Sequence, residues 1–177
     1  MEEAEQSYRD TSTKSRKYIK RLTEYINELV KGGRYLEAGH FFSKLHELSP
    51  LNGKTVRLGY AIAIAMFDNN GVITYDRLLT DSSPKIDELL WFRLRYYHSR
   101  HNVTFCESTS IELLEHRLSS EYLSTVIEVC LERENYVIAA PLTRYLIKNN
   151  LLLQPQAINR LKKIAVTKLI ETLREYK

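Results

Sequence analysis

Segments with helical spacing of apolar residues begin near residues 19, 52–53, 86, 120 and 154, a period of 33–34 residues. A fixed period of helix pairs restricts the fold more than any other feature of the chain, because one pair cannot bury its own apolar face and neighbours must stack to make a core. The period predicts an all-α chain, an α-solenoid of about four helix pairs closed by a C-terminal capping helix. No segment shows the alternation of a strand. Six Gly and four Pro in 177 residues are too few for the turns of a sandwich or barrel.

The first pair is the clearest. Apolar residues fall at 18, 19, 22, 25, 26, 29 and 30, and Gly32-Gly33 closes that helix with a left-handed cap. Tyr35, Leu36, Ala38, Phe41, Phe42, Leu45 and Leu48 mark its partner, ended by Ser49-Pro50. Further helices are predicted over 54–67, 72–80, 85–99, 120–133, 136–148 and 156–176. A short helix capped by Ser108 or Ser110 runs to Arg117. Pro141 falls inside its helix, removes one hydrogen bond and should bend it. Residues 1–15 are polar and read as a flexible tail, leaving 16–177 as the repeat domain.

Gly33-Arg34-Tyr35-Leu36-Glu37-Ala38-Gly39-His40-Phe41-Phe42, with Leu45 and Pro50 beyond, resembles the second half of a tetratricopeptide repeat. Weaker likenesses sit at Leu58-Gly59, Tyr75 and Leu78, at Leu89, Phe92 and Tyr96, and at Tyr136, Ala139 and Leu146. The resemblance implies a right-handed solenoid, with Ala38 as the small residue at a close helix contact. It also implies a concave groove lined by the second, fifth, ninth and twelfth positions of each first helix. Carried over, these are Lys20, Thr23, Asn27 and Val30, then Gly53, Val56, Tyr60 and Ala63, then Asp87, Leu90, Leu94 and Tyr97. The family's two-carboxylate clamp is matched only by Asn27 and Lys20. The expected partner site is therefore Lys20, Thr23, Asn27, Val56, Tyr60, Ala63, Leu90, Leu94 and Tyr97, an apolar groove with Tyr60 and Tyr97 as its aromatic floor.

Charge is uneven, at −3 over residues 1–12, +5 over 13–21 and +4 over 154–177, within a net +4. The groove is thus expected to have a basic rim and to take an apolar protein segment with acidic flanks, as in an adaptor, scaffold subunit or chaperone. The alternative is a nucleic-acid-binding or regulatory protein using its basic ends. Arg93, Arg95 and Arg100 interleaved with Trp91, Tyr96 and Tyr97 could serve that reading, but Leu89, Phe92 and Tyr96 share one stripe and fit a core helix with one basic side. His98, His101 and Cys106 are the one metal-like cluster, and the spacing has no second close pair of ligands. No nucleophile, phosphate-loop or dinucleotide motif occurs, so no enzymatic activity, cofactor or metal is expected. Two cysteines, a polar N-terminus and no apolar run near 20 residues point to a cytoplasmic chain without membrane insertion.

Overall fold

A computed structural model describes residues 1–175, with side chains for all of these but Ala165, 168–173 and Glu175. Among the described residues there are ten helices and no strand. They are α1 (Glu2–Arg9), α2 (Tyr18–Lys31), α3 (Tyr35–Leu48), α4 (Gly53–Ala65), α5 (Asn69–Asp81), α6 (Ile86–Ser99), α7 (Val103–Leu113), α8 (Ser120–Glu132), α9 (Tyr136–Lys148) and α10 (Pro155–Glu175). Contacts divide the chain into two units, Met1–Lys85 with α1–α5 and Ile86–Lys177 with α6–α10.

The turns explain the period. After α2, α4, α6 and α8 the chain enters the left-handed region for one residue, at Gly33 (φ 72°), Phe67 (59°), His101 (57°) and Glu134 (47°). The next amide then donates back across the helix end: Arg34 to the Leu29 carbonyl (2.9 Å), Asp68 to Ala63 (2.9 Å), Asn102 to Tyr97 (3.0 Å) and Asn135 to Cys130 (2.9 Å). This is a six-residue helix-stop motif that satisfies otherwise orphaned carbonyls. The donors stand at 34, 68, 102 and 135, so the sequence period survives as a backbone motif even where glycine does not. Asp68, Asn102 and Asn135 also accept from amides of the next helix, so one residue closes one helix and opens another.

In the first unit, Leu22, Tyr25, Ile26 and Leu29 of α2 meet Ala38, Phe42 and Leu45 of α3 and Leu58 and Ile62 of α4. Gly59 has no room for a side chain: a Cβ there would lie 2.5 Å from the Tyr75 ring and 2.7 Å from Phe42. In the second unit, Leu90 and Leu94 of α6, Cys106 and Leu113 of α7, Val126 and Cys130 of α8, Ile138 and Leu142 of α9 and Leu161 and Ile164 of α10 form one cluster.

Three expectations are corrected. Residues 2–9 are helical, and α1 docks on its own unit: the Tyr8 ring stacks on Tyr25 at 5.4 Å and meets Phe41 edge-on at 5.7 Å. One aromatic and Ala4 supply an anchor that no periodicity reveals. Second, α5 starts at Asn69, because Asp68 accepts from the Gly71 amide (3.0 Å) and the poor helix formers Asn69, Asn70 and Gly71 occupy the tolerant first turn. Third, α7 starts at Val103 with Asn102 as its cap (3.3 Å to the Phe105 amide), and Ser110, one of the expected caps, is buried within it. α9 continues through Pro141.

Candidate partner-binding site

The expected groove residues separate into buried and exposed sets. Val56, Tyr60, Ala63, Leu90 and Leu94 are buried, from 4% exposure down to none, so they do not form an open apolar floor. Leu90 and Leu94 belong to the core of the second unit. Tyr60 points its hydroxyl at α5, where it donates to Asp76 Oδ1 at 2.7 Å, and Ala63 lies against Gly71. Lys20 is exposed, with Glu24 3.8 Å away, and Thr23 and Asn27 are half-buried. Tyr97 is half-buried and stacks on Phe105 at 4.9 Å. The repeat register marked positions that face neighbouring helices, and packing consumed the apolar ones.

The aromatic-basic stretch of α6 is also spent within its unit. Arg95 lies over the Trp91 ring (4.8 Å), Trp91 stacks on Tyr122 (4.9 Å), and the indole donates to Thr125 Oγ1 (3.0 Å). His98 pairs with Glu132 at 3.1 Å, His101 meets Arg133, and Cys106 is buried. Among the described residues no three His, Cys, Asp or Glu are placed to hold a metal ion. Burial pushes the Cys106 and Cys130 thiols up to about 11, which leaves them protonated and poor nucleophiles.

An open apolar groove does occur, between α9 and α10. α9 ends as the earlier helices do, with Asn150 left-handed (φ 50°) and the Leu151 amide donating to the Leu146 carbonyl at 2.9 Å. Leu151-Leu152-Leu153-Gln154 then runs without regular structure to Pro155, which opens α10. Thr143, Leu146 and Ile147 form a stripe on α9 that Asn150 extends just past its end, and Ile158, Leu161 and Lys162 form one on α10. Together with the leucine loop they enclose about 670 Å³. Leu146 and Leu161, each 7% exposed, make the floor, whereas Ile147 at 72% and Leu152 at 96% stand in water.

A second cleft, of about 440 Å³, lies on the other side of α9, against the end of α7 and the turn after it. His116, Arg117, Arg144 and Lys148 line it together with Glu115 and Pro141. The Leu118 amide donates to the Tyr145 hydroxyl at 2.9 Å and ties that turn to α9. From Asn135 to Ile170 the chain has Arg144, Lys148, Arg160, Lys162, Lys163 and Lys168 and no acidic residue. Sequence reasoning passed over both features. Three consecutive leucines in a connection, beside a long stretch without acids, were the signals available, since connecting segments are ordinarily polar.

No family model, curated protein or solved structure matches the chain.

Proposed function

We propose that this chain is a helical-repeat protein-interaction module, an adaptor, scaffold subunit or chaperone, that holds a partner segment in the groove between α9 and α10 without bond chemistry. The observation that carries the reading is that groove: isoleucine and leucine side chains largely in water around a concave apolar floor, the feature that marks interaction sites on protein surfaces. The repeating helix-stop motif and the likeness of residues 33–50 to a tetratricopeptide repeat support a right-handed solenoid as the scaffold. Among the described residues no helix is long and apolar enough to cross a membrane. The low cysteine content supports a cytoplasmic setting, and the proposed binding needs no cofactor or metal.

The test is capture from native lysate by the full chain and by the Ile147→Glu/Leu152→Glu variant, with mass spectrometry of what is retained. Both side chains are exposed, so the variant keeps its helical circular dichroism. Partners held by the wild type are expected to be absent from the variant. Equal retention by the two proteins would remove the groove from the function.

The acid-free stretch favours one competing reading, nucleic-acid binding through the basic C-terminal part. That reading requires affinity to fall steeply with salt, with a log–log slope near −0.9 per phosphate contact. Binding carried mainly by burial in an apolar groove gives a much shallower dependence.

A further inference from the structure

The groove and the basic cleft share one helix, and that arrangement narrows the occupant. We infer that the partner segment is an amphipathic helix whose apolar face enters the α9–α10 groove and whose acidic residues cross α9 to Arg117, Arg144 and Lys148. The inference rests on the reading of the groove as the binding site and adds the chemistry of the ligand.

Two independent features converge on α9. Thr143, Leu146 and Ile147 face the groove, and Arg144, Tyr145 and Lys148 face the cleft. A helix with its side chains is about 10–12 Å across, so a segment lying over α9 reaches both sides within two or three of its own turns. The apolar groove supplies burial, and the cleft supplies cations for the carboxylates of the same segment. Glu115 is the one acid lining the cleft, against two arginines and a lysine. Lys162 adds a further base at the groove edge.

Other occupants fit less well. In a symmetric dimer through this face the patch of Arg144, Lys148 and Lys162 would be brought toward the same basic patch of the copy, a like-charge juxtaposition that opposes association. A bilayer takes up a helix through a free apolar face, but Leu161 and Ile164 of α10 are buried in the core of the second unit. Nucleic acid would satisfy the bases and leave Ile147 and Leu152 uncovered. The chain's own acidic helix α1 uses Tyr8 and Ala4 against its own unit.

Three labelled helical peptides of about 16 residues, roughly 24 Å long, decide the matter by fluorescence anisotropy with the full chain. One has a leucine stripe and a glutamate face. The second exchanges glutamate for lysine, and the third keeps glutamate and exchanges leucine for serine. We expect the first to bind and the other two to be weaker by about tenfold or more. Binding of the first peptide should weaken as salt is raised, and Arg144→Gln/Lys148→Gln should weaken it by about tenfold or more and flatten that salt dependence. Leu152→Glu should weaken it at every salt concentration, and Leu152 is so exposed that this variant stays folded.

Equal binding of the glutamate and lysine peptides would overturn the acidic assignment and leave the groove standing, provided Leu152→Glu still abolishes it. Binding of the glutamate peptide that Leu152→Glu leaves unchanged would overturn both. If no peptide binds, the proposed ligand is wrong, and the lysate comparison above judges the groove by itself. Dimerisation lost in Leu152→Glu, or binding to phosphatidylserine vesicles or a single-stranded oligonucleotide in place of the peptide, would reassign the surface.

Discussion

Glu134 is the residue that most plainly works against its own conformation. It sits at φ 47° in the turn between α8 and α9 and is exposed. A left-handed residue with a Cβ costs about 1–2 kcal/mol, which glycine does not incur, although glycine gives back roughly 0.5–1 kcal/mol in chain entropy. Glu134→Gly should therefore raise stability by up to about 1 kcal/mol in urea unfolding. Its neighbour Asn135 behaves oppositely. It is 8% exposed, its Oδ1 accepts from the Val137 and Ile138 amides at 2.9 and 3.2 Å, and its Nδ2 donates to Glu107 at 2.9 Å. Asn135→Ala strips a helix cap and orphans buried polar groups, so a loss of about 1–3 kcal/mol is expected. A loss below the error of the unfolding measurement would mean that water replaces the cap.

At the scale of elements, the close approach of α4 to α5 depends on Gly59. Its missing Cβ is the space occupied by the Tyr75 ring and the tip of Phe42. Gly59→Ala must displace both rings, at about 1–3 kcal/mol, even though alanine is the better helix former. Chemical denaturation of the variant reads the sign directly, and any net stabilisation would show that the rings give way freely. This contact was only half legible. The sequence placed Leu58-Gly59 and Tyr75 in one repeat unit, but whether glycine was there for turn or for contact depends on the partner helix. Helix ends were legible where glycine or proline marks them, as at Gly33 and Pro155. They were legible as well at the polar turns 68–71, 101–102 and 134–135, where the expected helices 54–67, 85–99 and 120–133 end within two residues of α4, α6 and α8. What stayed hidden there is the left-handed conformation of Phe67, His101 and Glu134, which backbone hydrogen bonds hold and residue preference does not. α1 was invisible, since its helix is held by what Tyr8 touches. The site shows the limit most sharply. A register gives the direction of Val56, Tyr60, Ala63, Leu90 and Leu94, but their burial depends on neighbours that are not adjacent in sequence. The groove at Leu146, Ile147 and Leu152 needed two helices and a loop to be seen together.

Stability of the whole molecule should respond to alkaline pH through its buried acids. Cys106 and Cys130 are almost fully enclosed, and burial moves both thiols from an ordinary value of 9.0 to about 11. A folded-state pKa raised above the unfolded one means that the unfolded chain releases its proton first. The contribution is therefore complete below about pH 9 and is lost as pH climbs to about 11, where the folded thiols also ionise. Tyr8, pushed up to about 12 by burial and by its bond to Tyr18, adds the same sign at higher pH, whereas Tyr18 is lowered, because its bonds to Lys44 and Tyr8 outweigh its own burial, and opposes it. Melting temperature should hold up to about pH 9 and then decline. Below pH 9 both thiols should resist iodoacetamide in the native protein and react together on unfolding. In Cys106→Ala/Cys130→Ala the two small cavities lower the melting temperature at every pH, but the slope between pH 9 and 11 should flatten. An unchanged slope in that variant would assign the alkaline loss to the tyrosines.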